Sequence, residues 1–520
     1  MARLFVLIGG LIVLALCVAL IGPYFIDWTS YRADFEREAS AVLGRKVTVE
    51  GTASARLLPF PSVTFTDVVV GGTSGQPAMT VETFSMDAEL APFLRGEVLI
   101  FDMRLVRPKA RIEVKADGSV DWLVRPSTPF DPRQISLEKA TITDGSVEID
   151  HAGSGRTHSF TEINGTVSAR TFAGPWRADG TLRFDGLPAK VSASTGALEE
   201  SGAMRLRTTV KPDHHPLVIE TDGNIQLKDG APTYAGSFRV NELAQQPADG
   251  TERKPEAASG TRVAGQFTLA HERLSVDEFR FETGPTDDPY TAEGTAAIEF
   301  IGAPRFSVSM KGAQVRFDEA TAGKAGAGLT LGARIEALEK VLASLPRPSM
   351  PGTITVDLPA VVAGDTTVRD VSFSAEPSAA GWTLNAFTAT LPGRTKLEAN
   401  GELALGDTFG FKGSLLVAVA QPSGFAAWVA REVDDAIRRL PAAGFSAKVD
   451  VSRERQHFSD LELVLGDARF TGELDRRQQG DARPAVALSL SGGALDLDGL
   501  AAFTSLFVSD AGATRFADHD

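Results

Sequence analysis

Hydrophobic and polar residues alternate along most of this chain, in short stretches that Gly, Pro, Asp and Ser separate. The alternation begins after Arg45 and has a period of two, as in Phe445-Ser-Ala-Lys-Val449 and Leu461-Glu-Leu-Val-Leu465. This period gives each strand one apolar and one polar face, which is typical of an antiparallel sheet with one buried side. The pattern therefore predicts a mainly β protein whose sheet has one hydrophobic face.

The hydrophobic face of the predicted sheet is the first candidate functional surface. The sequence offers few helices that could cover it, and an uncovered apolar face must contact something. Acyl chains fit this requirement, because burial of each CH₂ group contributes about 0.8 kcal/mol. The candidate groove residues are Ile354, Val356, Leu358, Val371, Phe373, Val449, Val451, Leu461, Leu463, Leu465, Val486, Leu488 and Leu490.

A continuous apolar run opens the chain and differs from everything that follows. No charged residue lies between Leu4 and Ile26. As a helix this run would be roughly 35 Å long, enough for a hydrocarbon layer of ~30 Å. The residues predicted to form the membrane anchor are Leu4, Leu7, Leu11, Leu14, Val18, Ile21, Phe25 and Trp28.

The charges that flank this run predict its orientation. Arg3 precedes it and Asp27 follows it, so the positive-inside rule places the N-terminus in the cytoplasm and Trp28 onward outside. A cleaved signal peptide is the alternative, although its apolar region usually has about 7–15 residues. The longer run favours a retained single-pass anchor, with the bulk of the chain on the extracytoplasmic side.

Only a few segments have helical periodicity. A helix after the anchor, capped by Thr29 or Ser30 and ended by Gly44, is expected to seat the first strands or to lie on the membrane. A second amphipathic helix is predicted from Ile335 to Leu345. A third includes Phe425, Trp428, Val429 and Ile437 and ends near Pro441.

A short glycine-containing pattern recurs within the predicted strands. Its irregular spacing indicates a repeated structural device and no fixed-period solenoid, with chance similarity as the alternative. The five copies are Trp176–Leu182, Thr261–Phe267, Tyr290–Ala296, Leu397–Leu403 and Ala468–Leu474.

Composition excludes several classes of protein. The formal net charge of −15 over 520 residues, without a Lys/Arg-rich run, argues against nucleic-acid binding. The single cysteine, Cys17, excludes an intrachain disulfide. Asp496 and Asp498, placed on a predicted strand, could hold Ca²⁺, but solvated turn acids are the favoured interpretation. With no catalytic motif in view, the sequence predicts a protein that is not an enzyme and has no cofactor.

The residues after the apolar run resemble the AsmA family of Gram-negative envelope proteins. The resemblance rests on Leu43-Gly-Arg-Lys-Val47, Leu58-Pro-Phe-Pro61, Asp67-Val-Val-Val70 and Ile142-Thr-Asp-Gly-Ser-Val147, and it is most specific up to Gly186. It implies a helix-anchored periplasmic protein with an elongated, curved β-sheet groove, related to bridge-like lipid-transfer proteins. It also implies a role in outer-membrane biogenesis and phospholipid traffic.

Together these observations predict four segments: an anchor (1–28), an N-terminal AsmA-like β region (29–246), a middle region with a linker and a helix (247–350), and C-terminal β repeats (351–520). The expected partners are the inner membrane and phospholipid acyl chains, with no nucleic acid. The alternative is a non-catalytic assembly factor that binds outer-membrane proteins or envelope polymers through an exposed sheet edge.

Overall fold

The computed structural model describes most of the chain after the predicted anchor. The chain divides into two compact units. The first unit comprises Met1–Gln246, Ala264–Ser275 and Glu299–Ala303, and the second comprises Pro247–Val263, Val276–Ile298 and Pro304–Asp520. The predicted four-segment division stays a prediction. The described residues are 28–71, 76–93, 95, 97–120, 132–228, 230–242, 261–283, 289–312, 315–316, 339, 348, 350–363, 366–405, 409–429, 433–452, 454–477, 485–494 and 496–508.

Strands dominate the described residues, so the predicted mainly β class is confirmed. The first strands are β1 (Val47–Val49), β2 (Ala53–Arg56), β3 (Ser62–Gly71), β4 (Pro77–Ala88), β5 (Val98–Val106), β6 (Lys109–Val114), β7 (Ile135–His151), β8 (Arg156–Ala169), β9 (Trp176–Phe184), β10 (Leu187–Thr195), β11 (Met204–Pro212), β12 (Leu217–Lys228), β13 (Ala231–Glu242) and β14 (Arg262–Leu269). The later strands are β15 (Arg273–Thr283), β16 (Tyr290–Glu299), β17 (Arg305–Gly312), β18 (Val315–Arg316), β19 (Gly352–Ala363), β20 (Thr366–Pro377), β21 (Gly381–Leu391), β22 (Thr395–Ala404), β23 (Gly410–Val419), β24 (Ala443–Ser452), β25 (Arg455–Leu465), β26 (Ala468–Arg477) and β27 (Ala485–Gly492).

Helices are short and few in the part of the chain that the structure describes. Single 3₁₀ turns occupy Trp28–Tyr31 and Pro132–Gln134. The α-helices are α1 (Arg32–Leu43), α2 (Leu90–Phe93), α3 (Pro422–Val429), α4 (Asp435–Arg439) and α5 (Leu497–Val508).

The sheet is mixed, which corrects the prediction of a purely antiparallel one. Strands β5 and β6 both run parallel to β7, and β17 and β18 both run parallel to β19. Parallel neighbours need a long crossover connection, and the chain supplies one between β6 and β7 and another between β18 and β19. Alternation alone could not reveal this, because it has the same period in both kinds of pairing.

Helix α1 seats the first strands, which is one of the two roles expected from its sequence. The Glu36 carboxylate accepts a hydrogen bond from the backbone N–H of Val49 at 2.7 Å, and the Ser40 hydroxyl accepts one from Val47 at 2.8 Å. Gly44 ends the helix in the left-handed conformation at φ 65°, as predicted. The predicted N-cap was wrong, since the 3₁₀ turn takes up Thr29 and Ser30 and Tyr31 precedes the helix without a side-chain cap.

Acidic residues in the left-handed conformation interrupt the alternation of several strands. In β25, Asp460 has φ 49° and separates Phe458 from Leu461, yet both hydrophobic side chains lie on the same face of the sheet. Successive residues of a strand normally point to opposite faces, so two residues three positions apart should not share a face. A β-bulge at Asp460 adds one extra residue to the strand and thereby returns Leu461 to the face of Phe458. The strand residues of this type in the described ranges are Asp67, Asp144, Glu162, Asp370 and Asp460.

A substitution at Asp460 tests this role. Left-handed backbone costs a residue with a Cβ roughly 1–2 kcal/mol, most for β-branched side chains and nothing for glycine. We expect Asp460→Val to unfold at lower urea concentration than Asp460→Gly in an equilibrium titration. Both variants lose the exposed 2.8 Å ion pair with Lys448, so equal midpoints would contradict the assignment.

The predicted anchor, Leu4–Ile26, lies outside the described residues. In the part that the structure describes, no helix has the length and apolarity needed to cross a membrane. Trp28 is the one anchor residue that the structure places. Its ring lies 6.4 Å from that of Phe35, which in turn lies 5.3 Å from Phe65 of β3.

Candidate functional site

The apolar face of the second unit gathers the residues that the sequence singled out. Residues opposite each other in antiparallel strands project from the same face. Val356 opposes Phe373, Leu461 opposes Gly472, and Gly472 opposes Leu490. Following the register in this way from β19 to β27 places all thirteen predicted groove residues on one face of the sheet.

Three helices cover part of this face, at one end of strands β23 to β26. We call α3, α4 and α5 the helical cap. Phe425 and Phe503 are 1% exposed and Ile437 is 2% exposed, which makes the cap a fully formed hydrophobic core. The sheet residues buried beneath it are Val417, Val419, Ala443, Leu463, Leu465 and Phe470.

The cap corrects two sequence-based interpretations. The single helix predicted through Phe425 and Ile437 is two helices, because Asp434 leaves the helical conformation and caps α4 by accepting a 2.7 Å hydrogen bond from the N–H of Ala436. Asp496 and Asp498 lie at the start of helix α5 and not on a strand, and Asp496 accepts a hydrogen bond from the N–H of Gly499 at 3.1 Å. The predicted helix from Ile335 to Leu345 lies outside the described residues, apart from Glu339.

Beside the cap, a second hydrophobic cluster contains no residue of any described helix. We call the part of this cluster that does not also pack against the cap the open strip. Its larger side chains remain half-buried, so they keep contact with solvent, whereas Ala447, Val449 and Leu461 are buried by their neighbours. The open strip consists of Phe411, Ala447, Val449, Val451, Phe458, Leu461 and Leu474. The other three members of the cluster, Leu415, Phe445 and Leu490, also pack against the core under the cap.

Two glycines lie opposite each other next to the open strip. Gly401 of β22 opposes Gly413 of β23, and Gly413 opposes Val449. A Cβ atom on Gly401 would lie 2.3 Å from the carbonyl oxygen of Lys412, which only glycine avoids. Neither position therefore adds a side chain to the apolar face between Phe411 and Leu415 on β23.

The last strand exposes the edge of the apolar face. Val486 and Leu488 of β27 are 53% and 43% exposed. Strand β27 pairs with β26, and no second pairing is recorded for it among the described residues. Arg476 of β26 projects from the same face opposite Val486 and is 5% exposed.

The predicted groove residues therefore fall into different environments. Leu463 and Leu465 lie under the helical cap and stabilise the fold, whereas Val449, Val451 and Leu461 belong to the open strip. Five of the remaining residues pack in clusters around β19 to β21: Ile354, Val356, Leu358, Val371 and Phe373. Val486 and Leu488 line the exposed edge, whereas Leu490 is half-buried and packs against both the core under the cap and the open strip.

Paired charges occupy the opposite face of the same strands. Burial by itself would raise the pKa of Asp475, but hydrogen bonds from Arg477 and Arg455 outweigh it and hold that pKa below its usual value. The hydrogen bond to Asp460 raises the pKa of Lys448. No group of three or more His, Cys, Asp or Glu residues suited to a metal ion occurs in the described ranges.

Comparison with known proteins supports the resemblance seen in the sequence. The model of the AsmA family matches residues 1–241, just under half of the chain. No curated protein and no solved structure shows significant similarity to this chain. The matched region includes α1, the first thirteen strands up to Asn241 and the sequence motifs of the resemblance. The N-terminal region of the chain, residues 1–241, is therefore similar to the AsmA family.

Proposed function

We propose that this AsmA-like protein binds or conducts phospholipid along the apolar face of its sheet. The observation that carries the proposal is the open strip, a row of hydrophobic side chains on which no described helix packs. Acyl chains are the partner that matches such a surface, because each CH₂ removed from water contributes about 0.8 kcal/mol. Head groups would stay hydrated above the strip.

The proposed role involves no chemical step. Binding requires only an accessible hydrophobic surface, and the paired glycines Gly401 and Gly413 place no side chain on that surface beside Phe411. In this proposal the anchor at Leu4–Ile26 holds the protein in the inner membrane and the bulk of the chain lies in the periplasm. There it would support outer-membrane biogenesis and envelope lipid homeostasis.

Mass spectrometry of the purified full-length protein tests the proposal. We expect phospholipid to copurify after mild detergent extraction and to survive exchange into fresh detergent. A helical membrane protein of similar size, purified in parallel, corrects for annular lipid. Recovery of no more lipid than this control would contradict the proposal.

The exposed edge of β27 favours a second candidate, a non-catalytic assembly factor for outer-membrane proteins or envelope polymers. Its exposed Val486 and Leu488 alternate with small residues, and no charged residue or proline lies between Ala485 and Gly492 to block strand addition. A photocrosslinker at Leu488, which projects from the apolar face at this edge and is 43% exposed, separates the two candidates. Capture of a polypeptide at this edge would favour the assembly factor, and capture of lipid alone would favour the groove.

A further inference from the structure

We propose that Phe445 and Phe507 form a wall at which bound acyl chains end. Acyl chains then occupy the open strip and are excluded from the sheet residues under the helical cap. This inference rests on the proposed function and adds where on the apolar face the ligand lies.

Aromatic contacts hold the ring of Phe507 at the boundary. It meets Phe445 of β24 edge-on, with centroids 5.3 Å apart and an interplanar angle of 89°. It stacks on Phe425 of α3 at 5.6 Å and contacts Phe503 of its own helix at 5.3 Å. The three rings support Phe507 from different sides, so its position on the border is fixed by packing.

The two sides of the wall differ in what a ligand would meet. Phe458 lies on the open side, 5.9 Å from Phe445, and is half-buried. On the other side Phe425, Ala426 and Phe503 are at most 1% exposed. An acyl chain can add to the open side, whereas on the capped side it would have to displace side chains that are already packed.

The cap is also tied to the sheet away from this border, which argues against its opening as a lid. The indole N–H of Trp428 in α3 donates a 2.7 Å hydrogen bond to the hydroxyl of Thr366 in β20. In the same cluster, α3 and α5 bury Val429 and Leu506 together with Leu465 of the sheet. The contacts span several strands, so the cap acts as a fixed end of the binding surface.

Photoreactive lipid can map the binding surface without altering the protein. Full-length protein in vesicles would receive a phosphatidylcholine or phosphatidylethanolamine with a diazirine at the end of one acyl chain, and adducts would be located by peptide mass spectrometry. We expect adducts at Phe445, Phe458 and Leu474. Adducts at Leu463 and Phe470 should be at least about tenfold fewer, the ratio that a preference of about 1.4 kcal/mol produces.

The variant Phe507→Ala opens the wall and should bring adducts to the sheet residues under the cap. Leu497→Ala, at a position of the same helix that is 68% exposed, is the matched control and should leave the pattern unchanged. Hydrogen exchange of β23 to β26 verifies that both variants keep the fold.

Each outcome bears on a different claim. The wall is supported if the unmodified protein is labelled on the open strip alone and Phe507→Ala is labelled also at the sheet residues under the cap. Equal labelling on both sides in the unmodified protein overturns the wall and leaves the proposed function standing, as does an unchanged pattern in Phe507→Ala. No adduct on the sheet of the second unit contradicts the proposed function itself.

Discussion

Replacement of Leu474 by aspartate is expected to lower the phospholipid that copurifies with the full-length protein by about tenfold or more. The side chain projects from the open strip between Phe458 and Leu488. A carboxylate there would face acyl chains without a partner, which costs several kcal/mol, and each 1.4 kcal/mol corresponds to about tenfold in binding. Lipid mass spectrometry per mole of protein measures the change.

The fold should tolerate this replacement. Leu474 is half-buried and no described helix packs on it, so in the lipid-free protein water can hydrate the carboxylate. We expect a loss of about 1 kcal/mol in the free energy of unfolding, typical of a partly exposed position. The matched control is Thr471→Asp, which adds the same charge to the exposed, opposite face of β26. Full lipid retention in Leu474→Asp, or equal loss in both variants, would refute the role of the open strip.

Much of the fold follows from the alternation of residues, and its failures have physical causes. Period-two segments predicted the strands, but they do not show whether neighbours run parallel. The bulges that shift the alternation of a strand by one residue were also missed, although the sequence contains a signal for them. Each left-handed acidic residue in the described strands follows an apolar residue two positions earlier and precedes an apolar residue or glycine, as in Phe458-Ser-Asp-Leu461.

The candidate site was only partly predictable. Alternation put Val449, Leu461 and Leu463 on one face, but it could not show that tertiary packing buries Leu463 under helices distant in sequence. Helix α5 was missed altogether. Leu500, Phe503 and Phe507 recur at helical spacing after a capping Asp496, and this pattern would have predicted the helix that closes the face.

Truncation of Phe503 to alanine should destabilise the second unit more than any other change considered so far. The side chain is 1% exposed and packs between the other helices of the cap and the sheet. Phe→Ala in a packed core typically costs about 3–5 kcal/mol, since the transfer free energy of the ring is lost and a cavity remains. Urea titration, with hydrogen exchange of β23 to β26 as a local probe, measures the loss in free energy of unfolding.

Leu497→Ala supplies the control, because Leu497 opens the same helix and is 68% exposed. We expect its effect to stay within about 0.5 kcal/mol, as for most surface substitutions. If Phe503→Ala cost no more than Leu497→Ala, the cap would not be part of the hydrophobic core. The sheet residues beneath it would then be accessible to ligand, and the boundary between capped and open parts of the apolar face would have no energetic basis.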